Sequence, residues 1–340
     1  MIIESLIKVQ SGRHLTEDEA FETFREVMNG EVTSEVTLAA LLTAMQMNGP
    51  DIAEVTGAVR AMRAVCLPVH APENAVDIVG TGGDGSGTFN VSTTAAIIAA
   101  GAGVTIAKHG NKASTSKSGS ADCLAALGYD LVTPLEEVER SIRENGIGFL
   151  FANRCHPAMM YAAPVRRALP FRTVFNLIGP LSNPAKVQRY ALGVYAPEIV
   201  PLYIGVLKAL GAKKALVFCG PDGLDELGLS GVSRISELSE DGKVRDYTFD
   251  PKRFFGATRP PAAISGGTPE INAAITRRVL TGEERGAYRD AAALNASAAI
   301  VAAGISGTIE DGVELAYSAI DSGAALAKLQ LLTKNRHGHT

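Results

Sequence analysis

Apolar residues recur at helical spacing through the first 70 positions of the chain. The pattern Thr16-x-x-Glu19 is typical of a capping box and predicts a helix that begins there and runs to Gly30. A second box, Asp51-x-x-Glu54, predicts another helix start. Between these signals the apolar positions repeat every three or four residues, which places them on single helix faces. The pattern therefore predicts a module of four short helices without intervening strands.

The pattern changes after Pro72, where apolar runs of strand length alternate with helical segments. Such alternation predicts an α/β sheet, in which ligands bind at the carboxyl ends of the strands. A hairpin is expected around a turn at 240–242, and the stretch 157–184 reverts to helix and loop. The strand-like runs are 76–79, 103–107, 147–151, 189–195 and 214–219, the hairpin strands are 233–235 and 245–248, and the last predicted helices are 271–280 and 290–303.

Composition narrows the class of protein. The 340 residues are 46% hydrophobic and 20% charged, which is typical of a globular enzyme with room for two domains. A net charge of −4 argues against general affinity for nucleic acid. No apolar run reaches 18 residues and no signal-peptide pattern opens the chain, so we expect no membrane span and a cytoplasmic location. The four cysteines are scattered, which favours reduced thiols over a zinc site or a disulfide framework.

The glycine-rich stretch Gly80–Thr93 carries the most chemical information. It contains five glycines between a predicted buried strand and a predicted helix, an arrangement that presents backbone N–H groups and a helix N-terminus to phosphate. The carboxylate of Asp84 would repel a bare phosphate, so it indicates a metal ion or ribose hydroxyls nearby. Further donors stand where the helix starts: Asn90, Ser92 and Thr93.

The spacing of this stretch excludes other nucleotide sites. The chain has no G-x-x-x-x-G-K-[ST] pattern, so it is not a P-loop NTPase. Residues 80–85 match G-x-G-x-x-G, but no acidic residue follows about 20 positions later, where a dinucleotide fold would bind the ribose. The loop therefore predicts a phosphorylated ligand accompanied by Mg²⁺, with a glycine-rich turn that binds no ligand as the alternative.

Three further groups of polar residues follow. Lys108–Asp122 contains three lysines and five hydroxyl side chains, which suit a polyanion or a solvated basic loop. Asp225-Glu226 follows a glycine turn, and adjacent carboxylates there suit a divalent cation or a plain surface turn. Arg166, beside Arg167, can bind a carboxylate through two hydrogen bonds, although surface arginine pairs are common.

Together these motifs resemble the anthranilate phosphoribosyltransferases over nearly the whole chain, and the combination of GTGGD at 80–84 with KHGN at 108–111 is specific. The other carriers of the resemblance are Asn90–Thr93, Ser114–Asp122, His156–Met159, Pro164–Arg167, Asn176–Pro184, Gly223–Glu226, Gly266-Gly267 and Asn295-Ala296.

The resemblance implies a binding site for phosphoribosyl pyrophosphate (PRPP) built from the two loops. The residues it implies for PRPP are Gly80, Gly83, Asp84, Thr88, Asn90, Val91, Ser92, Thr93, Lys108, His109, Gly110, Asn111, Lys112, Ala113, Ser114, Thr115, Ser116 and Ser120. Lys108 and Asp84 would be the catalytic residues.

The resemblance also implies sites for the acceptor and the metal. For anthranilate the implied residues are Gly80, Asn111, Arg166, His109 and His156, with Arg166 on the carboxylate. For Mg²⁺ they are Ser92, Asp225 and Glu226, and two ions are expected, at least one carried in with PRPP.

For the fold, the resemblance implies an α/β protein with a small discontinuous helical domain and a larger domain whose mixed sheet is covered by helices. We expect the helical domain at 1–72 with a returning segment around 160–187, and the PRPP-binding domain at 73–159 and 188–340. It implies a homodimer that forms through the helical domain.

One departure and two alternatives bear on this interpretation. Many relatives have Arg where Lys112 stands, and Lys keeps the charge but loses the planar fork that grips phosphate. A pyrimidine nucleoside phosphorylase shares the implied fold but has a further C-terminal domain, for which the chain leaves little room. A nucleic-acid-binding paralogue should have lost Asn111 and Arg166, which are both present here.

Overall fold

A computed structural model describes residues 1–32, 34–113 and 116–334. The chain begins with four helices, as the apolar pattern predicts: α1 (Ile2–Gln10), α2 (Glu17–Met28), α3 (Glu35–Asn48) and α4 (Ile52–Val65). Both capping boxes are present. The Thr16 side chain accepts a hydrogen bond from the Glu19 N–H (3.2 Å), and Asp51 accepts one from the Glu54 N–H (2.9 Å). Helices α2 and α4 pack closely because Gly57 on α4 has no side chain. A Cβ at this position would collide with the backbone of α2.

One seven-stranded sheet forms the centre of the rest of the molecule, with its strands in the order β3-β2-β1-β4-β5-β6-β7. The first five strands in this order run parallel, and the last two pair antiparallel, so the sheet is mixed as expected. The strands are β1 (Val76–Gly80), β2 (Ile106–Gly110), β3 (Ile147–Phe151), β4 (Arg189–Gly193), β5 (Lys214–Cys219), β6 (Ser233–Leu238) and β7 (Val244–Phe249).

The predicted position of β2 is wrong by three residues. The apolar run suggested 103–107, but residues 102–105 form the turn and connection after a helix, and pairing with β3 begins at Ile106. Lys108 and His109 therefore lie inside a buried strand and not in the loop after it. The apolar pattern did not predict these strand positions because both residues are polar.

Helices cover both faces of the sheet, and two hydrophobic cores result. One core lies between the sheet and an alanine-rich layer of helices, and the other joins the opposite face to the N-terminal helices. The remaining helices are α5 (Val91–Gly101), α6 (Ser120–Leu127), α7 (Leu135–Asn145), α8 (Ala152–Cys155), α9 (Ala163–Ala168), α10 (Val174–Ile178), α11 (Val200–Ala209), α12 (Pro251–Phe255), α13 (Pro269–Leu280), α14 (Ala287–Ala303), α15 (Ile309–Asp321) and α16 (Ala324–Thr333).

The segment that contains α9 and α10 lies against the N-terminal helices. Helix α9 contacts α3, and α10 contacts both α3 and α4. The Arg63 guanidinium on α4 donates to the Leu181 carbonyl (2.6 and 3.0 Å) and to the Tyr190 hydroxyl (2.8 Å), which ties α4 to this segment and to β4. Among the described residues, no helix combines the length and the apolar character needed to cross a membrane.

Candidate active site

The glycine-rich loop after β1 is anchored at both ends. At its start the Thr81 N–H donates to the Gly193 carbonyl at the end of β4 (3.0 Å). At its far end the N–H of Gly266 donates to the Gly87 carbonyl (2.8 Å), and the Phe89 N–H donates to Ile264 (3.0 Å). Between these anchors the backbone takes left-handed conformations that only glycine adopts freely, with φ of 68° at Gly82 and 70° at Gly83. The loop is thus an open backbone cradle at the carboxyl edge of the sheet.

Asp225 and Glu226 lie beneath this loop, after a short turn that follows β5. The Asp225 carboxylate accepts the Gly82 N–H (2.6 Å), and a Cβ at Gly80 or at Gly193 would collide with Asp225. Glu226 accepts the N–H of Ser92, the second residue of α5 (3.0 Å). The sequence prediction that these two acids and Ser92 come together is consistent with this geometry, and Asp84 joins them, since its Oδ2 is 3.5 Å from the Asp225 nitrogen.

Lys108 completes this cluster from β2. Its ammonium group donates to the Ile78 carbonyl (2.6 Å) and lies 3.5 Å from the Ser92 hydroxyl, and the side chain is buried. Burial lowers the pKa of Lys108, against the charges of Asp77, Glu226 and Asp225, which raise it. One lysine therefore faces several carboxylates in a space that water reaches poorly.

The pKa values of the two carboxyl groups are raised, because their negative charges are buried and lie close together. Burial, followed by the charge of Asp84, raises the pKa of Asp225 to about 7. Burial and the charge of Asp225 raise the pKa of Glu226 well above its ordinary value. Crowded negative charge of this kind is relieved by a divalent cation, and carboxylate and hydroxyl oxygens are the ligands that Mg²⁺ takes in proteins. The donor set therefore fits the metal that the sequence implies.

A second cluster of side chains that could hold a metal has a structural explanation instead. His14, Asp51 and Glu54 converge within 4.8 Å in the helical module. Glu54 is already occupied there: it accepts the Leu15 N–H (2.9 Å) and the Asp51 N–H (3.1 Å) and pairs with His14 (2.9 Å). These residues close the N-terminus of α4, and we assign them a structural role.

A buried pair that sequence analysis missed, Asp77 and Asn183, bridges strands β1 and β2. The ladder between them is reduced to Val76 opposite Ile106. Beyond that point Asp77 accepts the His109 N–H (3.0 Å), and Asn183 donates to Asp77 (2.8 Å) and to the Ala107 carbonyl (2.8 Å). Burial raises the pKa of Asp77 to about 6. An acidic residue within an apolar strand was the signal that could have revealed this pair.

The loop between β2 and α6 is tied to the glycine-rich loop through Asn90. Asn90 precedes α5, and its side chain makes no capping bond there. Its amide donates to the Ser118 carbonyl (3.2 Å), and its carbonyl accepts from the Ser118 hydroxyl (2.9 Å) and from Asn272 (2.8 Å). Asp122 fixes the same loop by accepting the Ala113 and Gly119 N–H groups (2.8 and 2.9 Å).

The remaining residues implied for PRPP lie on or beside these two loops. Asn111, Lys112 and Ser116 are exposed, and Val91 and Thr93 are buried in the first turn of α5. Thr88 forms an isolated bridge with Ser265, and Ser120 begins α6 against Gly110 at the end of β2. Ser114 and Thr115 lie outside the described residues.

His109 and His156 form a buried pair on the side of β2 that faces the helical module. Their rings meet edge to face with centroids 5.1 Å apart. Burial lowers the pKa of both, that of His156 to about 4, so both rings are neutral at pH 7. Within the described part of the chain, His109 Nε2 and both ring nitrogens of His156 lack a hydrogen-bond partner.

Arg166, on α9, stands over the Phe175 ring at 5.3 Å from its centroid. Burial among apolar groups lowers the pKa of Arg166. No ion pair of Arg166 occurs among the residues that the structure describes, so its charge is available to a carboxylate.

Acidification is expected to destabilise the protein through His156. The folded-state pKa of about 4 lies below the ordinary value of 6.5, so between these values the unfolded chain binds a proton that the folded chain excludes. The contribution of His156 to the free energy of unfolding therefore falls as the pH falls, by about 2 kcal/mol between pH 7 and pH 5. The raised pKa values of Asp77 and Asp225 act in the opposite direction, so the His156 contribution is measured as a difference between two proteins. In urea denaturation, the change in unfolding free energy from pH 7 to pH 5 should be about 2 kcal/mol more favourable for His156→Asn than for the wild type, and equal changes in the two proteins would refute the assignment.

The chain is similar to known proteins along nearly its whole length. Residues 3–66 match the helical bundle domain of a glycosyl transferase family, and residues 72–326 match the a/b domain of the same family. The chain is similar to an anthranilate phosphoribosyltransferase of Rubrobacter xylanophilus, with 49% identity over 97% of this chain and 96% of the relative.

Two solved structures are similar as well. One is anthranilate phosphoribosyltransferase from Thermus thermophilus, with a TM-score of 0.92 and 45% identity over 97% of this chain and 98% of that one. The other is the enzyme of that name from Saccharomyces cerevisiae in complex with PRPP and Mg, with a TM-score of 0.89 and 27% identity over 98% and 97% of the two chains.

Proposed function

The chain belongs to the anthranilate phosphoribosyltransferases, and from that premise we propose which of its residues carry the reaction. The enzyme transfers the phosphoribosyl group of PRPP to the amine of anthranilate, giving N-(5-phosphoribosyl)anthranilate and pyrophosphate, in tryptophan biosynthesis. The observation that carries our assignment is the convergence of the glycine-rich loop, Lys108 and the pair Asp225-Glu226 at one edge of the sheet.

PRPP binds across the two loops in this proposal. Some N–H groups of the loop after β1 are already bonded to Gly193 and Asp225, and the others, that of Asp84 among them, hold its pyrophosphate together with the N-terminus of α5, because both present partial positive charge to an anion. The polar loop between β2 and α6 holds the remainder of the molecule. Support comes from Asn90, whose side chain bonds join the two loops into a single surface. The full set of PRPP residues named from the sequence stays a prediction.

Asp225, Glu226 and Ser92 would hold Mg²⁺ in this proposal. When bound, the metal neutralises charge on the pyrophosphate and makes it a better leaving group. The three side chains come from the turn after β5 and from α5 and do not form a closed cage, which agrees with an ion that enters together with PRPP. We propose two ions, of which at least one arrives in this way.

The chemical step needs positioning and charge stabilisation more than proton transfer. The anthranilate nitrogen forms a bond to C1 of the ribose while the bond from C1 to the pyrophosphate oxygen breaks, and the electron pair leaves with pyrophosphate. The proton on nitrogen is released afterwards. An aromatic amine is neutral at pH 7 and does not require a strong base. Lys108 and the loop N–H groups stabilise the departing negative charge, and Asp84 acts beside the metal.

Anthranilate lies between the two loops and the helical module in this proposal. Arg166 binds its carboxylate, Gly80 and Asn111 lie beside its amine, and the neutral pair His109 and His156 lines the approach. Neutral imidazoles suit this position, since a charged pair would hold the anthranilate carboxylate away from Arg166.

Arg166→Ala is expected to raise the anthranilate KM about tenfold or more and to change the PRPP KM much less, because a guanidinium–carboxylate contact is lost. Steady-state kinetics with each substrate varied in turn measures both constants. Arg167→Ala is the matched control, since Arg167 is the exposed neighbour on the same helix. A larger change in the PRPP KM would assign Arg166 to the other substrate.

The activity itself is tested by the loss of anthranilate fluorescence in the presence of PRPP and Mg²⁺. We expect turnover that requires both, and EDTA should abolish it. Fluorescence loss without PRPP would contradict the proposed reaction, and turnover in EDTA would contradict the metal requirement. Phosphorolysis of thymidine by the same protein would favour the nucleoside phosphorylases instead.

We also propose a homodimer that forms through the helical module, in a cytoplasmic enzyme. Large apolar side chains are exposed on the packed helices α1 and α3: Ile3, Ile7, Val36 and Met47. Ile3 and Ile7 are four residues apart and share one face of α1. Such a patch marks an interaction surface. The four cysteines are buried and unpaired, which agrees with a reducing compartment.

Ile7→Glu is expected to convert the dimer to a monomer, because it buries a charge in an apolar contact. Sedimentation at micromolar concentration should give twice 35.5 kDa for the wild type and 35.5 kDa for the variant. A monomeric wild type would refute the dimer, and a dimeric variant would place the contact elsewhere.

A further inference from the structure

Arg172 reaches the glycine-rich loop from the segment between α9 and α10. Its guanidinium donates a hydrogen bond to the Gly83 carbonyl. The central carbon of the same group lies over the ring of Tyr195, 3.4 Å from its centroid, at the loop that follows β4. Neither residue is among those that the sequence motifs implied. Arg172 thus joins a segment packed on the helical module to two loops of the sheet domain.

Three consecutive residues of the glycine-rich loop are held by three different elements. The Thr81 N–H bonds to Gly193, and its hydroxyl accepts the Tyr195 N–H (3.1 Å). The Gly82 N–H bonds to the Asp225 carboxylate (2.6 Å). The Gly83 carbonyl bonds to Arg172. The third of these contacts is the one that comes from outside the sheet domain.

The hydrogen bond from Arg172 to the Gly83 carbonyl fixes the direction in which the Asp84 N–H points. In a trans peptide the carbonyl and the following N–H point in opposite directions, so fixing the Gly83 oxygen also fixes the Asp84 N–H. Glycines at positive φ have many alternative conformations, and an untethered loop would lose more entropy each time it orders around a ligand. Arg172 imposes that order in the free protein.

We propose that Arg172 is a positioning residue that, stacked on Tyr195, pre-organises the glycine-rich loop for PRPP. The assignment rests on the proposed binding of PRPP at this loop. Arg172 does not contact the substrate in this role; it acts through the Gly83 peptide. Because the guanidinium is half-buried and belongs to the segment beside the helical module, the contact also couples the position of that segment to the order of the loop.

The test measures PRPP binding directly, by calorimetry of the full-length protein with Mg²⁺ and without anthranilate. Arg172→Ala is expected to weaken PRPP binding about tenfold, the effect of losing a hydrogen bond from a charged donor. The anthranilate KM at saturating PRPP should stay within about twofold, since a merely damaged fold would raise both. Arg172→Lys should recover part of the affinity, because it can still donate to the carbonyl but cannot stack as a plane.

Tyr195 supplies the matched controls. Tyr195→Phe keeps the ring and should bind PRPP like the wild type, whereas Tyr195→Leu removes the aromatic face and should weaken binding. If the two residues act as one unit, Arg172→Ala combined with Tyr195→Leu should be less harmful than the sum of the single changes. Fully additive effects would overturn the shared role.

Each remaining outcome decides the proposal. Unchanged PRPP affinity in Arg172→Ala would overturn the proposal. A rise confined to the anthranilate KM would also overturn it, because Arg172 would then be a residue that binds anthranilate. If Arg172→Ala does not fold, the PRPP affinity and the anthranilate KM of Arg172→Lys and Tyr195→Leu test the proposal in its place. A wild type that fails to bind PRPP would overturn the loop assignment itself, and a wild type that binds while all variants bind equally would overturn only the role of Arg172.

Discussion

Asp225→Asn combined with Glu226→Gln is expected to lower turnover by about 10²–10³-fold, the effect of losing a main source of charge stabilisation for a leaving group. Both amides keep the size of the side chains, and the Gly82 and Ser92 N–H groups still find an oxygen to bond. What is lost is the negative charge that attracts Mg²⁺. Initial rates over a range of Mg²⁺ concentrations measure the effect, and very high Mg²⁺ should restore part of the rate.

The matched control is Asp222→Asn, in the turn just before the pair. Asp222 is exposed and has a positive φ of 58°, which asparagine also tolerates. This variant should retain the wild-type rate and Mg²⁺ dependence. A double variant at 225 and 226 that works near the wild-type rate would refute the metal assignment.

Lys108→Met is expected to lower kcat by about 10²-fold or more while the protein remains folded. Methionine fills most of the buried space but carries no charge, so departing pyrophosphate loses a cation held in a site with little water. The Ile78 carbonyl and the Ser92 hydroxyl also lose their contact with the ammonium group. Single-turnover kinetics at saturating substrates isolates the chemical step.

Lys252→Met, an exposed lysine on α12, controls for the loss of one positive charge and should leave kcat unchanged. Lys108→Arg should not restore the rate, because the larger guanidinium does not fit the buried position. Wild-type kcat in Lys108→Met would show that this lysine positions β1 and does not assist the reaction.

Much of the architecture could be predicted from the sequence because the helix signals are local. The capping boxes at Thr16 and Asp51 form as expected, and α14 extends the predicted segment 290–303 by three residues at its start. The α/β sheet and the antiparallel hairpin after β5 follow from apolar runs separated by helical segments and by a turn, whereas the family resemblance implied that the sheet is mixed. These features depend on neighbours in the chain, and a single sequence carries that information.

Features that depend on contacts distant in the chain could not be predicted in the same way. Lys108 and His109 read as loop residues because they are polar, yet β2 includes them: His109 bonds through its N–H to Asp77, and Lys108 donates to the Ile78 carbonyl. Asp77 and Asn183 are 106 positions apart, and their pairing replaces a ladder that the apolar pattern implied. Asn90 bonds to a neighbouring loop where local rules favour a cap.

The roles within the site were predicted from family resemblance, and the structure adds the physical reasons for some of them. Chemistry alone left Asp225-Glu226 open between a metal site and a surface turn. Both carboxyl groups have raised pKa values, because their charges are buried and crowded, and they contact the Gly82 and Ser92 N–H groups. This environment favours a metal site over a surface turn. No local pattern marks Arg172, because its partners, Gly83 and Tyr195, lie 89 and 23 positions from it and come together only in the fold.

A crystal structure of the enzyme with PRPP and Mn²⁺ in place of Mg²⁺ tests the central assignment most directly, because anomalous scattering locates the ion independently of any assumed chemistry. We expect one ion with carboxylate oxygens of Asp225 and Glu226 at about 2.2 Å, a little longer than for Mg²⁺. We expect a second ion on the pyrophosphate beside the glycine-rich loop. Ions bound by PRPP and water alone, with both carboxylates out of reach, would contradict the account.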